Sequence, residues 1–513
     1  MTDVRIITEA LGGSPLSLAL QRGTAPAAWT AGRPGDLAAW QARIGSRRNS
    51  APWGTHWKVL EAAVSASGAA GARLERVRAG NGVVVTTGQQ PGLFGGPIYT
   101  WSKALGALAL ADQIERDTGV PCAPVFWAAT DDADFLEASI TVVARAGGVE
   151  VLRSPHAPPA GTPMAHASLG DLSEQLARFD AASGSVADGR ALDSLRQAYG
   201  NPGATVGSAY LTLLRSLLEP LGIAVLDASH DSVRRLSDPL LRRALECAPA
   251  VERALQQRRS DIEGQGFALQ VDDLKGLSLV FERQGAGKRR LSLSDARAAL
   301  EKADCILTPN VVLRPVVEAA ILPTVAYLGG PAEVAYFAQV GAVAESLGAE
   351  QPLVLPRWSC TLIEPHVAAL LAQFGVNHDA LARPDALETS VARLAMGADS
   401  SEALRELRAA IDRAAERLAP DAERMRIDAA LVGGRQTIHH RVDRLERRFV
   451  AAVKRREHER MRDVATLRAA LYPMGKRQER TLNLLPMLAR HGLVLLDEMR
   501  DAAASHARGL IAG

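Results

Sequence analysis

The sequence has few cysteines, little net charge and no long apolar run. Its 513 residues include four cysteines that are scattered and form no C-x-x-C pair: Cys122, Cys247, Cys305 and Cys360. This scatter excludes a disulfide framework and a structural zinc site, and it is typical of proteins from a reducing compartment. No apolar run approaches the roughly 18 residues of a membrane span. We therefore expect a cytoplasmic protein with no membrane association.

Motifs of several common enzyme classes are also absent. The chain contains no H-E-x-x-H motif, no G-x-S-x-G elbow and no G-x-G-x-x-G fingerprint. Gly287-Lys288 lacks the upstream glycine and the following Ser or Thr of a P-loop. These absences argue against a hydrolase triad, and we predict no metal-ligating residues. The formal net charge is only +2, so nucleic acid is not an expected partner.

A strand, a glycine-rich turn and a helix follow one another in "VVVTTGQQPGLFGGPIYTWSK", residues 83–103. The β-branched run predicts a buried strand, and Pro97 opens an amphipathic helix. A second strand, "VPCAPVFWAAT", comes next. The same order returns in "TVAYLGGPAEVAYFAQV", where Pro331 opens the helix. Because ligands in open α/β sheets bind beyond the carboxyl ends of the strands, we expect the two turns to face one another in one site.

The other segments predict insertions into this core. "AGGVEVLRSPHAPPAG" is loop-like, a helix is expected at about 231–260, and "LSLVFERQGAGKRRLSLS" predicts a β-hairpin. We predict five segments, which are the first part of the core (1–144), a connecting insertion with additional core elements (145–300), the second part of the core (301–395), a helical coiled-coil domain (396–470) and C-terminal helices that return to the core (471–513).

The coiled coil is predicted as an antiparallel hairpin of two helices. Proline costs about 3 kcal/mol inside a helix, so we expect one helix to end near Leu418 and the next to begin at Pro420. Gly433-Gly434 is the alternative position of the turn. The second helix carries a narrow apolar stripe of coiled-coil type: Ile438, Val442, Leu445, Phe449 and Val453. Its expected partners on the first helix are Leu404, Leu407, Ile411 and Leu418.

The first glycine turn offers several groups that suit an anion. Glycines such as Gly92 and Gly96 let main-chain N–H groups approach a ligand, and the helix that begins at Pro97 presents its positive end. Lys103 follows two helical turns later. Gln89 and Gln90 can both donate and accept hydrogen bonds. The alternative interpretation is a glycine-rich turn with a buried first helical turn and an exposed lysine.

The second strand ends in an acidic cluster, "TDDADF". Asp131, Asp132 and Asp134 repel one another unless a cation lies among them, so Mg²⁺ or a substrate amine is the expected guest. The alternative is a polar loop that caps the next helix, with Asp134 at its start.

The third block adds further polar candidates. Arg314 and Arg357 suit a carboxylate or a phosphate. Glu333 lies just inside a helix, where it can equally serve as a cap. The remaining candidates are Asn310, Tyr327 and Tyr336.

Taken together, five motifs resemble the bacillithiol synthase family of cysteine-adding enzymes, BshC. They are "TTGQQPGLFGGPIYTWSK", "PVFWAATDDADF", "NVVLRPVVEAAILPTVAYLGGPAEVAYFAQV", "LPRWS" and "QERTLNLL", in the family's order over most of the chain. The resemblance implies an α/β fold with a Rossmann-like parallel sheet of nucleotidyl-transferase type, with insertions, and a coiled coil that forms a homodimer.

The resemblance also implies a reaction, and it supports the site predicted from the residues themselves. The reaction joins L-cysteine to glucosaminyl-malate through an amide bond, with ATP or an ADP-type nucleotide as the expected cofactor and Mg²⁺ as its companion. The predicted catalytic residues are Lys103, Asp131, Asp132 and Asp134. The predicted binding residues are Thr87, Gln89, Gln90, Gly92, Gly96, Tyr99, Trp127, Asn310, Arg314, Tyr327, Gly329, Gly330, Glu333, Tyr336 and Arg357.

One departure from the family pattern concerns the acidic cluster. The family pattern has a histidine where this sequence has Ala133. A general-base or metal-binding role of that histidine therefore has no counterpart here. Two other hypotheses remain, a nucleotidyl-transferase or tRNA-synthetase-like ligase for another amino acid and a non-catalytic nucleotide-binding scaffold.

Overall fold

The computed structural model describes residues 2–50, 53–272, 275–285, 287–302, 304–383 and 385–512. The chain forms two compact units. Unit 1 comprises Met1–Val143, Val151–Leu362 and Glu479–Gly513, and unit 2 comprises Ala144–Glu150 and Ile363–Gln478. The boundaries of the five predicted segments stay a prediction.

The strands, in chain order, are β1 (Arg5–Thr8), β2 (Val83–Gln89), β3 (Cys122–Ala128), β4 (Ile140–Arg145), β5 (Gly148–Arg153), β6 (Ala224–Asp227), β7 (Leu277–Gln284), β8 (Gly287–Ser292), β9 (Leu307–Pro309), β10 (Thr324–Gly329), β11 (Val354–Pro356) and β12 (Cys360–Ile363).

The α-helices are α1 (Pro15–Gln21), α2 (Leu37–Ser50), α3 (Trp53–Val64), α4 (Gly68–Ala79), α5 (Ile98–Thr118), α6 (Phe135–Ala138), α7 (Ser173–Ser183), α8 (Arg190–Tyr199), α9 (Val206–Leu218), α10 (Asp231–Glu246), α11 (Ala248–Gly264), α12 (Leu293–Leu300), α13 (Arg314–Ile321), α14 (Pro331–Ser346), α15 (Pro365–Phe374), α16 (Ala386–Ala395), α17 (Ala398–Arg424), α18 (Asp428–Arg456), α19 (His458–Leu471), α20 (Leu485–His491) and α21 (Val494–Ala512).

A five-stranded parallel sheet forms the centre of unit 1, in the order β11-β10-β2-β3-β6. The predicted Rossmann-like α/β fold is thereby confirmed. The chain runs outward from β2 through β3 to β6, then returns to the other side of β2 with β10. The topological switch point therefore lies between β2 and β10, and the crevice at such a point is where open α/β sheets bind ligands.

Helices cover both faces of this sheet, which explains why its strands are continuous apolar runs. On one face, Val84, Val125 and Leu226 share a buried core with residues of α3 and α4. On the other face, α5 packs against β2 and β3. The prediction that α5 is amphipathic was wrong, because α21 packs along it and leaves it buried almost all round from Ile98 to Ile114.

The segment between β6 and β10 carries a three-stranded sheet. It is antiparallel, in the order β8-β7-β9. The predicted hairpin is confirmed as β7 and β8, while the predicted helix at 231–260 is two helices, α10 and α11, with Cys247 between them. The loop prediction for the stretch around 146–161 was wrong in part, because its first half is strand β5, paired with β4.

Unit 2 is helical, and α17 and α18 form its antiparallel hairpin. Arg408 pairs with Asp443 and Glu446, while the later Asp412 pairs with the earlier His439. The expected break at Pro420 was wrong, and so was the alternative turn at Gly433-Gly434. Helix α17 continues through Pro420 to Arg424, and the turn at 425–427 follows.

The C-terminal segment after residue 478 is fixed to the parallel sheet by a buried ion pair. Arg357, just after β11, donates two hydrogen bonds to the Glu479 carboxylate at 2.7 and 2.8 Å, and both side chains are 3% exposed. Further along, Asn483 donates to the carbonyl of Phe94 at 2.8 Å. No helix in the described part of the chain combines the length and the apolarity needed to cross a membrane.

The Arg357–Glu479 pair predicts a pH-dependent loss of stability. Burial raises the pKa of Glu479, but hydrogen bonds and the charge of Arg357 outweigh burial and hold that pKa below its usual value. The stabilisation is therefore present at neutral pH and is lost as the pH falls through the lowered pKa. Glu479→Gln leaves the arginine charge buried and should lower the free energy of unfolding by about 3–5 kcal/mol at pH 7.

Urea unfolding at pH 7 and at successively lower pH measures this difference, which should shrink in acid. Glu402→Gln is the matched control, because Glu402 forms an exposed ion pair with Arg405, and it should cause no measurable change. Equal effects of the two substitutions would contradict the prediction.

Candidate functional site

A cleft of about 570 Å³ opens in unit 1 at the carboxyl ends of the parallel strands. Its walls come from the exits of β2, β3 and β10, from the start of α14 and from the β7–β9 sheet. The predicted site residues that line it are Gln89, Gln90, Tyr99, Lys103, Trp127, Asp131, Asp132, Asp134, Asn310, Arg314, Gly330, Glu333, Tyr336 and Arg357.

A buried ion pair joins the two sides of the switch point. The Lys103 ammonium lies 2.5 Å from a carboxylate oxygen of Glu333, and it donates to the Gly88 carbonyl at 2.9 Å and to the Gln89 amide oxygen at 3.0 Å. An ammonium has three N–H donors, and all three are engaged. Lys103 therefore ties the exit of β2 to the start of α14, and it has no donor left for an anionic ligand in this state.

Glu333 extends this pair into a buried network. Its carboxylate also accepts from the Gly330 N–H at 2.6 Å and from the hydroxyl of Tyr327. Arg314 donates to Tyr327 at 3.2 Å and pairs with the buried Glu318 at 2.8 Å. The expected cap role of Glu333 is thus present, and Glu333 also links a lysine and an arginine into one network.

Burial and charge act in opposite directions on these groups. Burial lowers the pKa of Lys103, although the Glu333 carboxylate opposes that shift. Burial raises the pKa of Glu333, but the neighbouring ammonium and hydrogen bonds outweigh it and leave that pKa below its usual value. Each member therefore depends on its partner to remain charged in the interior.

A second set of polar contacts surrounds Tyr99. Its hydroxyl donates to Glu137 at 3.2 Å and accepts from the Gln89 side chain at 3.2 Å. Gln90 donates to the other oxygen of Glu137 at 2.6 Å. The two glutamines are thus held by protein partners, and burial raises the pKa of Glu137.

The three aspartates occupy different environments in the loop after β3. Asp132 accepts from the Asp134 N–H at 2.7 Å, and Asp134 caps α6 by accepting from the Glu137 N–H at 3.3 Å. The capping alternative therefore describes Asp134, which is exposed. Asp131 is half-buried, and burial raises the pKa of its carboxyl while the charge of Lys288 opposes the shift. The carboxylates of Asp131 and Asp132 both line the cleft.

Five of the predicted site residues do not line the cleft. Those outside its lining are Thr87, Gly92, Gly96, Tyr327 and Gly329. The Thr87 hydroxyl donates to the Leu328 carbonyl at 2.8 Å, which bridges β2 and β10. A Cβ atom on Gly92 would lie 2.7 Å from the Cα of Gly96, so these glycines permit a tightly folded turn.

The glycine turn and the start of α5 face the protein interior. The Gly96 N–H donates to the Leu93 carbonyl at 3.2 Å, and the Ile98 N–H donates to the Leu482 carbonyl at 2.8 Å. These donors are therefore already engaged within the protein. We expected the glycines to let a ligand approach the main chain closely. At Gly88 a neighbouring strand makes that close approach instead, because a Cβ atom on Gly88 would lie 2.7 Å from the Trp127 carbonyl. The binding roles of Gly92 and Gly96 stay predictions.

The sequence reasoning missed cleft residues from the hairpin and the C-terminal segment. They are Phe281, Lys288, Arg290 and Arg480. Lys288 and Arg290 are two residues apart on β8, so alternation on the predicted hairpin was a signal that both lie on one face. Arg480 is exposed beside the buried Glu479, and among the described residues it has no hydrogen-bond or ion-pair partner. No local signal places it in the cleft.

Comparisons with known proteins agree along almost the whole chain. The N-terminal Rossmann-like domain of bacillithiol biosynthesis BshC matches residues 32–358, and the C-terminal coiled-coil domain of BshC matches residues 360–509. A protein of Koribacter versatilis (strain Ellin345) named "Putative cysteine ligase BshC" is 33% identical over 476 residues, which cover 88% of this chain and 87% of the relative. Relatives with the same name from Solibacter usitatus (strain Ellin6076) and Staphylococcus carnosus (strain TM300) are 31% and 27% identical, with coverage of 84% and 80% of each chain.

The Lys103–Glu333 pair predicts strong coupling between two substitutions. Lys103→Met leaves the Glu333 carboxylate buried without its counter-charge, and we expect the free energy of unfolding to fall by about 3–5 kcal/mol. The double variant Lys103→Met with Glu333→Gln removes both charges and should recover a large part of this loss.

Urea unfolding of the two single variants and the double variant measures the coupling. Lys58→Met, at an exposed position on α3, is the control for the lysine-to-methionine change and should leave stability unchanged. Additive losses in the double variant would show that the two charges do not depend on one another.

Proposed function

The chain belongs to the bacillithiol biosynthesis BshC family, and on that premise we propose that it is a ligase that joins L-cysteine to glucosaminyl-malate through an amide bond. The observation that carries this proposal is the cleft at the switch point, whose lining combines carboxylates from the β3 exit with cations from the β7–β9 sheet and the C-terminal segment. Relatives over more than four-fifths of the chain are named as cysteine ligases, which supports the same activity.

The substrates carry the charges that such a cleft can bind. Glucosaminyl-malate has two carboxylates and one amine, and cysteine has one carboxylate, one amine and a thiol. Arg290 and Arg480 are suited to malate carboxylates or to phosphates. Asp131 and Asp132 are suited to an ammonium group. One site can thus hold both substrates with their reacting groups close together.

The bond-forming step needs an activated carboxyl group and a neutral amine. ATP, when bound, supplies the free energy that makes the cysteine carboxyl group an acyl donor, and Mg²⁺ is its expected companion. The amine nitrogen of glucosaminyl-malate then forms a bond to the carbonyl carbon, and the leaving oxygen departs with its electron pair. An aspartate takes the amine proton. Since Ala133 replaces the family histidine, Asp131 and Asp132 are the candidates for this base.

The reaction can be tested directly by reconstitution with purified protein. ATP, cysteine and glucosaminyl-malate should yield bacillithiol, detected by mass spectrometry. We expect Asp131→Asn and Asp132→Asn each to lower the rate at least about 100-fold, because each removes a charge in the cleft. Asp231→Asn, at an exposed position on α10, is the control and should retain the rate.

Other outcomes would identify the alternatives. Cysteine-dependent exchange of pyrophosphate without an amide product would indicate a ligase for another acceptor. Nucleotide binding with no turnover would indicate a scaffold without catalysis. Either result would overturn the proposed reaction.

The coiled coil supports a homodimer as part of the proposal. Its predicted stripe is buried only in part in the single chain: Val442 is 5% exposed, whereas Ile438, Leu445 and Phe449 are 43–48% exposed. Leu407 and Leu418 of α17 are also exposed. Large apolar side chains at coiled-coil spacing are the surface that a second coiled coil covers.

Charged substitutions in this stripe test the dimer. Leu445→Asp combined with Phe449→Asp should convert a dimer into a monomer, as measured by sedimentation or light scattering, because each aspartate would have to be desolvated in the interface. Arg444→Asp changes an exposed residue of the same helix and should leave the dimer intact. A wild-type monomer, or a dimer that tolerates both aspartates, would exclude this interface.

A further inference from the structure

Lys288 occupies a defined position above the acidic loop. It lies on β8, and its ammonium donates to the Asp131 carbonyl at 2.9 Å and lies 5.2 Å from the centre of the Phe281 ring. Arg283, Arg289 and Arg290 are its nearest cationic neighbours along the hairpin, and of these only Arg290 lines the cleft. Lys288 is half-buried, and an ammonium with one of its three donors engaged can still donate twice to a ligand.

The same place in the cleft contains an opposite charge. Asp131 lines the cleft together with Lys288. Burial raises the pKa of the Asp131 carboxyl, and the charge of Lys288 is the main influence that lowers it. A carboxylate and an ammonium held side by side can bind a ligand that carries an ammonium for the first and a carboxylate for the second. A free α-amino acid is such a ligand, because its ammonium and its carboxylate are separated by one carbon atom.

Trp127 borders the same part of the cleft but belongs mainly to the hydrophobic core. It precedes the acidic loop by four residues, lines the cleft and is 3% exposed. Its indole N–H is buried, and among the described residues it has no hydrogen-bond partner. An indole nitrogen can only donate, and a buried donor without an acceptor is unfavourable. The buried indole N–H groups of Trp53 and Trp101 are in the same condition, so the contacts with a ligand fall to the two charged groups.

We propose that Asp131 and Lys288 form the subsite for the α-amino acid, in which Asp131 binds the ammonium and Lys288 binds the carboxylate. The subsite rests on the proposed function, since it places cysteine beneath the β7–β8 hairpin. Arg290 and Arg480 then remain for the malate carboxylates or the phosphates. The cysteine ammonium does not react and occupies Asp131. Asp132 is therefore the carboxylate left to act as the base for the amine of glucosaminyl-malate.

Three thiols that differ by one charged group test the assignment. Cysteine has both groups, cysteamine lacks the carboxylate, and 3-mercaptopropionate lacks the ammonium. Binding to the full-length protein is measured by calorimetry, without turnover. Wild type should bind cysteine more tightly than either analogue. Lys288→Met should weaken cysteine binding about tenfold or more through loss of a charged hydrogen bond, and it should leave cysteamine binding unchanged.

Asp131 has its own signature, and Trp127 provides a control at the border of the cleft. Trp127→Phe keeps the ring and removes an N–H that is buried in the core, so it should leave the affinities for all three thiols unchanged. Asp131→Asn should weaken cysteine and cysteamine binding and spare 3-mercaptopropionate. Lys58→Met, outside the cleft, should change none of these affinities. In steady-state assays, Lys288→Met should raise the KM for cysteine and leave the KM for glucosaminyl-malate unchanged.

Two results would overturn the subsite. The first is an equal loss of cysteine and cysteamine binding in Lys288→Met. The second is intact binding of both thiols in Lys288→Met together with a raised KM for glucosaminyl-malate or ATP. The second result would assign Lys288 to the other substrates. If wild type forms no amide product but still distinguishes the three thiols through Lys288, the proposed reaction fails while the subsite stands.

Discussion

The geometry of the site depends on one buried ion pair, Lys103 with Glu333. The pair lies at the topological switch point, where β2 and β10 are neighbours and their following helices diverge. Two charges taken out of water are stabilised only when their geometry and hydrogen bonds are complete. Here Lys103 also binds the end of β2, and Glu333 also binds the Gly330 N–H and Tyr327. The pair therefore ties the exit of β2 to the start of α14.

This constraint changes the roles of the charged residues in the cleft. The sequence predicts that Lys103 and Arg357 bind an anionic substrate. In the structure both are buried, and they pair with the carboxylates of Glu333 and Glu479. The cations left for ligands come from elsewhere, Lys288 and Arg290 from the antiparallel sheet and Arg480 from the C-terminal segment. The parallel sheet thus provides the rigid frame, and the insertion and the C-terminal segment provide the charges that a substrate can bind. Sites built in this way combine a fixed geometry with groups that remain available.

The C-terminal segment has a part in both the fold and the site. Glu479 is bound by Arg357 in the interior, while the next residue, Arg480, is exposed at the cleft. The Asn483 side chain donates to the Phe94 carbonyl of the glycine turn, and the Leu482 carbonyl accepts from the Ile98 N–H in the first turn of α5. A helix start that is buried must have its free N–H groups satisfied, and here a segment almost 400 residues later satisfies one of them. The glycine-rich turn is therefore shaped by packing, and the aspartates and the hairpin form the open part of the cleft.

The sequence by itself determined the elements whose signals are local. Buried β-branched runs with glycine and proline after them predicted β2, β3 and β10, alternation predicted β7 and β8, and the motifs identified the family. It did not determine the end of α17, because an exposed proline can remain within a helix when its neighbours continue to pack. Nor did it show that α5 is buried all round, since that depends on α21. Only the tertiary structure decided which charges pair with one another and which face the cleft. That choice arises from contacts between residues far apart in the sequence, such as Lys103 with Glu333 and Lys288 with Asp131, and no local pattern encodes it.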